Sequence, residues 1–558
     1  MTADPLAFFT IDHGTASTAA ALVAPVAGRF RLLAAAAQPG ELPLEPLLEG
    51  LVQGVVAADP EVVPGTGSWP TWTRLETATR APLRALVAAG SDRSLGALEV
   101  AATGAGWRIV ERISPDRTDA LEATRLCLDE GVDIVAVAGE AVPRPDERRA
   151  LDDLLALVAA VRRRRPDLPV LLCGGAAAGL GEVGGDGSAA GGLGLEGSGA
   201  GGLGAEGLIL GPAPTPSPPG VASPLRLLCG RLGSTLPTTG SPLPDGRICF
   251  VTAIRSLATL LERRVEGVDV GFAAGQRVLA TSQGLRGWLC LAEAGLVPEA
   301  ALTDDALTDA IVDWSTLRAD QQALRDLVRN LRLRPWAGAG GEGAHLRLAA
   351  ARAALERLDA AWRLGPEPDG RPPSYHSDLL VASGGAFAVA PPSAVALALV
   401  DTLRRSGAMT LVLDHARLLA PLGALEAEED RQRVLADLLD DALLPLGSAI
   451  VASGLRAGRR AGTLRVAGSA TGATSEVPVV PGDIEIVDLP PGLTATAELD
   501  LRDGAWLGMR ARKVSIEVGG GLGGLLIDTR DIPLRLPERS ERRRELLDAW
   551  QGPLWGDD

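Results

Sequence analysis

Lysine is almost missing from this chain: of its 54 cationic residues only Lys513 is not an arginine. Arg, Ala, Gly and Pro are abundant, as GC-rich codon usage would make them. The formal charge is −16, which excludes a general nucleic-acid binder, because that function needs a basic footprint. The arginine runs at 162–165 and 542–544 read as solvated helix faces. Aromatic residues are scarce at 3%. The five cysteines (Cys127, Cys173, Cys229, Cys249 and Cys290) contain no Cys-x-x-Cys. Most lie in apolar strings such as "VLLCGG", so buried free thiols are expected over disulfides or a metal site. His13, His345, His376 and His415 are isolated from one another and form no ligand pair. No apolar run reaches the roughly 20 residues of a membrane helix. No charged leader with a cleavage signature precedes the first apolar run, so a cytoplasmic protein is expected.

What is present is enough apolar residue, 46% of 558, to build two to four cores. Residues 1–173 alternate strands and helices. "LAFFTIDHG" and "STAAALVAP" read as a hairpin, "RFRLLAAAA" as a third strand, and "ALEVAATGAG" with "WRIVERIS" as another strand pair. "TDALEATRLCLDEG" is a capped helix leading into the buried strand "VDIVAVAG". Strands alternating with helices predict a parallel element under helical cover. Residues 174–222 carry "GGLGLEGSGAGGLGAEG" and "GPAPTPSPPG" and read as a flexible insertion. No Gly-Lys-Ser/Thr follows, so a phosphate loop fits this stretch poorly. Residues 223–455 return to mixed α/β, 456–537 hold short alternating strands of a small β domain, and 538–558 form a terminal helix and tail.

The chemistry concentrates in three turns. "FFTIDHGTASTAAALV", residues 8–23, places Asp12, Gly14, Thr15, Ser17 and Thr18 between two apolar runs. Small residues let backbone N–H groups approach phosphates, hydroxyls add donors, and an aspartate can orient metal-bound water. Ordinary turn chemistry explains the same residues. A second Asp-x-Gly occurs at Asp269 and Gly271, and a Gly-Gly turn follows a buried strand at Gly384 and Gly385. Three such elements in this order are more specific than any one.

With "LLVASGGAF…PPSAVALALVDTLRRSGAMTLVLD", "LLPLGSAIVASG" and the C-terminal "IEIVDLPPGLTATAELDL" and "GGLGGLLIDTRDIPLRLP", these turns resemble the glutamate mutase L family. Its members are MutL-type accessory proteins of B12-dependent mutases. The likeness covers most of the chain outside the Gly-rich stretch. It implies an α/β, actin-like (ribonuclease H-like) ATPase fold in two halves with a small C-terminal all-β domain. It also implies ATP and Mg as cofactors, with Asp12, Gly14, Thr15, Ser17, Thr18, Asp269, Gly271, Gly384 and Gly385 at the nucleotide and Asp12 and Asp269 toward the metal. Two departures stand out. The family's second phosphate loop, Asp-x-Gly-Gly-Ala-Thr-Thr-Asp, is here "DVGFAAGQ", with Phe272 for a glycine and Ala274, Gly275 and Gln276 for Thr-Thr-Asp. Its Gly-Gly-Thr-Asp-Gly-Gly is here "GEAVPRP" (139–145). Because charge neutralisation and metal-water positioning dominate phosphoryl transfer, such losses should cut hydrolysis by orders of magnitude.

The expected function is therefore a degenerate ATPase at most. It would be a partner-binding scaffold, with a B12-dependent mutase subunit or another protein as partner. An ATP-hydrolysing reactivase is the alternative, and a sugar-kinase-like enzyme is disfavoured for want of a second catalytic aspartate. No catalytic residue is assigned, and neither nucleic acid nor membrane is expected as a partner.

Overall fold

The computed structural model describes residues 7–59, 73–114, 118–177, 208–236, 242–338, 340–364, 377–456, 460–468, 474–530 and 532–555. The chain divides into two compact units, one of Met1–Thr79, Pro242–Trp288 and Glu293–Asp558, the other of Arg80–Ser241 with Leu289–Ala292.

The first unit begins with β1 (Phe8–His13), β2 (Ser17–Val26), β3 (Arg29–Pro39) and β4 (Thr73–Ala78), in the sheet order β3-β2-β1-β4. β1 pairs antiparallel with β2 (Phe8↔Val23 to His13↔Thr18) and parallel with β4 (Asp12↔Thr77). The apolar run that opens the chain is thereby made central. The helix Leu44–Ala58 lays Leu48, Leu51, Val52 and Val55 over Phe9, Ile11, Ala20 and Leu22. Each large side chain buried this way contributes about 1.5–3 kcal/mol.

The second unit is a parallel sheet of β5 (Arg84–Ala89), β6 (Arg108–Ile113), β7 (Ile134–Gly139), β8 (Val170–Gly174) and β9 (Leu208–Gly211), in the order β6-β5-β7-β8-β9. This is a doubly wound order with its switch point between β5 and β7. Val135, Val137, Val170 and Leu172 meet Leu151, Leu154 and Val158 of the helix Pro145–Arg164 in its core. That helix starts on a proline and ends in Arg162, Arg163 and Arg164, which suits both its first turn and its dipole.

One expectation changes here. "ALEVAATGAG" is no strand. It lies in the helix Asp92–Thr103, capped by Ser91 and buried at Ser94, Leu98, Ala101 and Ala102, a spacing of four, three and one that is helical. The position expected to end the first lobe, 173, and the return at 223 both fall inside this unit. Of the supposed insertion, 178–207 lies outside the described residues, and Leu208–Gly211 beyond it is strand β9.

The first unit resumes with β10 (Val265–Val270), β11 (Gly275–Thr281), β12 (Gly284–Leu291), β13 (Leu379–Ser383), β14 (Gly407–Asp414) and β15 (Leu443–Val451). Their sheet order is β12-β11-β10-β13-β14-β15, with β10 antiparallel to β11 and parallel to β13. The pattern of β3-β2-β1-β4 is repeated, and this duplication makes the fold actin-like: two ribonuclease H-like sheets, each led by a hairpin whose first strand pairs parallel with a later one. Strands β16 (Gly462–Gly468), β17 (Thr474–Val479), β19 (Thr494–Trp506) and β20 (Arg510–Gly519) form an antiparallel sheet. Their neighbours β18 (Ile484–Val487) and β21 (Leu525–Asp528) instead extend the second lobe's sheet beyond β15. The all-β region is thus stitched to the lobe. A fully buried ion network tightens the seam: Arg404 and Arg530 reach Asp528, while Arg352 and Arg530 reach Asp401, at 2.6–2.9 Å.

Candidate functional site

Topology places the carboxyl ends of β1, β10, β13 and β14 together in the first unit. Between β1 and β2 the chain turns tightly, with Gly14 N–H donating to the Asp12 carbonyl (3.2 Å) and the Ser17 carbonyl (2.9 Å). A Cβ on Gly14 would lie 2.8 Å from the Ser17 carbonyl oxygen, so the turn requires glycine. Asp12 Oδ1 accepts from Thr77 Oγ1 (3.4 Å) on the parallel neighbour strand. Next to it, His13 Nε2 meets Glu76 Oε2 at 2.9 Å, and this hydrogen bond holds the Glu76 carboxyl below its usual range.

The second hairpin follows the same plan and differs in detail. Gly271 N–H donates to the Ala274 carbonyl (3.0 Å), and the Gly271 carbonyl accepts from Leu296 N–H (2.9 Å). Asp269 Oδ2 accepts from Gln276 Nε2 at 3.0 Å, and the Gln276 amide oxygen faces Trp288 Nε1 at 3.4 Å. Gln276 therefore bridges Asp269 and Trp288. Burial pushes the Asp269 carboxyl up to about 6, opposed by the Gln276 hydrogen bond and reinforced by Asp12.

Gly384, just after β13, has φ +101°, and a Cβ there would come within 2.3 Å of the Val270 carbonyl oxygen and 2.6 Å of Asp269 Oδ1. Only glycine lets this turn pass so close to β10. A Cβ on Gly385 would meet nothing nearer than Ser17 Oγ (3.6 Å) and Arg417 Nη1 (3.7 Å). The first hairpin, the Gly-Gly turn and the segment after β14 therefore converge.

Arg417 is the centre of that convergence. Its Nη1 donates to Ser17 Oγ at 3.0 Å and lies 3.5 Å from Asp12 Oδ2, with 10% of its side chain exposed. Its backbone is left-handed, φ +54°, a conformation that costs a non-glycine residue about 1 kcal/mol. Three residues earlier, Asp414 is wholly enclosed. It accepts from Leu418 N–H (2.8 Å), Ser383 Oγ (2.9 Å) and Leu419 N–H (3.2 Å). Burial lifts its carboxyl to about 7 despite those bonds. From the other side, Arg347 donates to the Pro335 and Gly385 carbonyls (2.8 and 3.2 Å). Burial and the nearby Arg417 lower its pKa.

Of the residues expected from sequence, Asp12, Gly14, Ser17, Asp269, Gly384 and Gly385 gather here. Gly271 shapes the second turn. Thr15 is exposed at the tip of the first hairpin, and Thr18 is buried within β2 opposite His13. Arg417, Arg347, Asp414 and Thr77 were not anticipated. Asp414 ends an obvious apolar strand and could have been flagged; nothing in the spacing marks Arg417 as turning back toward Asp12.

These contacts bear on the ATP and Mg expectation. A magnesium ion takes octahedral oxygen ligands, often waters and phosphate oxygens with one or two free carboxylates, and a nearby cation opposes it by like-charge repulsion. Here Asp12 faces Thr77 and an arginine, and Asp269 is engaged by Gln276. No group of three or more His, Cys, Asp or Glu placed to hold a metal occurs among the described residues. The arrangement does not fit Mg²⁺ carried by Asp12 and Asp269. Ser17, Gly14 and Gly385 stand around a guanidinium whose buried Nη2 has no hydrogen-bond partner.

No family model matches the sequence, and no curated protein does. The chain is similar to several solved structures. One is a nucleotide-free acetone carboxylase from work on ATP-dependent acetone carboxylation, at 10% identity over 85% of this chain and 81% of that chain, TM-score 0.29. A Ppx/GppA family member from Aquifex aeolicus shares 10% identity over 79% and 94%, TM-score 0.19. The PilM–PilN type IV pilus biogenesis complex shares 14% over 77% and 96%, TM-score 0.22. These superpositions are loose, and the fold rests on the repeated strand order. No helix among the described residues is long and apolar enough to cross a membrane.

Proposed function

We propose that this chain is a divergent accessory protein of the glutamate mutase L type, acting as a partner-binding scaffold in which phosphoryl transfer has been lost. The partner it would serve is a subunit of a B12-dependent mutase. The carrying observation is the pairing of both loop carboxylates with protein donors: Arg417 beside Asp12 at 3.5 Å and Gln276 on Asp269 at 3.0 Å. Hydrolysis in such a fold needs metal-borne neutralisation of the phosphates and an oriented water. An arginine and an amide can supply charge and hydrogen bonds but no water activation. The sequence likeness, strongest in the last third of the chain, supports the choice of partner class.

Two measurements test the reading. Purified protein incubated with ATP and magnesium should release phosphate no faster than a buffer control. Turnover abolished by Asp12→Ala would overturn the scaffold reading in favour of the hydrolysing reactivase. Affinity purification from the native host should recover a B12-dependent mutase subunit; repeated clean isolations would remove the mutase from the proposal.

A further inference from the structure

We propose that the Arg417 guanidinium takes the place of the divalent cation in this clamp, so that the site binds a phosphate-bearing anion without metal. The inference rests on the reading above, in which the clamp no longer transfers phosphoryl groups, and names what it binds instead.

An arginine that merely plugged the site would spend its donors on protein acceptors. Nη1 does so, reaching Ser17 Oγ at 3.0 Å and Asp12 Oδ2 at 3.5 Å. Nη2 is buried and makes no hydrogen bond, although the side chain is nine-tenths enclosed. A buried donor left unmade is costly, and more so when charged. The neighbouring Arg347 repeats the pattern, with Nη1 and Nη2 bound to carbonyls and a buried Nε that has no partner. Two guanidinium groups with spare donors therefore flank the Gly385 turn.

Gly14 and Gly385 border the guanidinium: Cβ atoms on them would stand 3.4 and 3.7 Å from Arg417 Nη1, ordinary contact distance. The left-handed backbone at Arg417, φ +54°, aims the side chain back over the first hairpin. A planar guanidinium presents paired donors to phosphate oxygens, and it excludes a dication from the same place by like-charge repulsion. The ligand class is thus a phosphoanion. Free phosphate, pyrophosphate and a nucleoside triphosphate share that chemistry.

The test is calorimetric titration of the full chain with inorganic phosphate, pyrophosphate and ATP, each in excess EDTA and again in excess magnesium. At least one of the three is expected to bind in EDTA, and magnesium to weaken its binding about threefold or more. The strongest of the three identifies the source of the phosphate. Arg417→Gln should weaken binding in EDTA by about tenfold or more, the loss of one charge-assisted pair, and Arg417→Lys should recover part of it. Binding that requires magnesium, no binding in either medium, or Arg417→Gln binding like the parent would each overturn the inference. The EDTA-against-magnesium contrast needs no variant, so it stands even if Arg417→Gln does not fold. Absent binding together with absent hydrolysis would remove this inference and leave the scaffold reading intact; magnesium-dependent hydrolysis would remove the scaffold reading.

Discussion

The two hairpins occupy equivalent places in the repeated sheets, yet they are supported differently. Behind the β1–β2 turn stands Gly40, where an added Cβ would sit 3.5 Å from Ala16 C, the Gly14 carbonyl oxygen and Ser17 N, ordinary van der Waals distance. Trp336 Nε1 donates to the Ala16 carbonyl (3.0 Å), and Thr15 at the tip is exposed. Behind the β10–β11 turn stands Gly295, where a Cβ would press to 2.6 Å on Ala273 C and the Phe272 carbonyl oxygen. A Cβ on Gly275 would meet the Ala294 carbonyl oxygen at 2.4 Å, and the Arg332 guanidinium covers the Phe272 ring at 5.2 Å. One hairpin keeps an exposed tip. The other is a packing joint, where chain fills the space into which side chains at 275 and 295 would project. A threonine at 275 would drive a side chain into the Ala294 backbone, so glycine there is built into the surrounding packing.

Substitutions that probe the two hairpins should separate them, and the largest effect belongs to the second. Gly295→Val forces a branched side chain against the Phe272–Ala273 backbone and should cost about 3 kcal/mol in urea unfolding, as overpacking does; a loss below about 0.5 kcal/mol would mean the joint is loose. Gln276→Asp places a carboxylate against Asp269 and removes its hydrogen-bond donor. About 2 kcal/mol should be lost at pH 8, with less lost at pH 5, where the pair shares protons.

Smaller still is the pH response of Asp414 and Asp269. Burial raises both carboxyls, to about 7 and about 6, so the folded chain holds these protons more tightly than the unfolded chain. Their contribution to stability is complete below about pH 4, the unfolded carboxyl range, and is lost as pH rises through about 6 and then about 7. Asp414→Asn removes one of the two titrations. Its melting temperature relative to the parent should therefore improve between pH 5 and pH 8.5, by of the order of 1 kcal/mol in stability; parallel curves would place the Asp414 titration elsewhere. The smallest effect belongs to the first hairpin: Gly40→Ala should change unfolding free energy by less than about 0.5 kcal/mol, and a loss comparable with Gly295→Val would erase the contrast between the hairpins.

Local pattern made much of this readable. The apolar run into Asp12, the second Asp-x-Gly at 269 and the Gly384–Gly385 turn each announce themselves within ten residues, and their order along the chain foretells the repeated sheets. What was not legible depends on long-range placement or weak local preference. Ala-rich 97–103 satisfies strand and helix alike until Ser91 caps it and Leu98 and Ala102 are buried. The exit of the chain from its first lobe after β4 leaves no composition change at Thr79. Arg417 pairs with residues 400 and 405 positions away, and no sequence period encodes that.

The backbone where the chain leaves and re-enters its first unit is paired with itself. Ala78 N–H donates to the Pro244 carbonyl (2.9 Å), and Ala78 pairs with Asp245 in a parallel bridge. The two severed ends are thus already held side by side, independently of the 162 residues numbered 80–241 that intervene. Such a junction behaves as a closed seam: the chain's exit and re-entry points are joined by backbone hydrogen bonding, so the strand pairing of β4 does not depend on the length of the excursion between them.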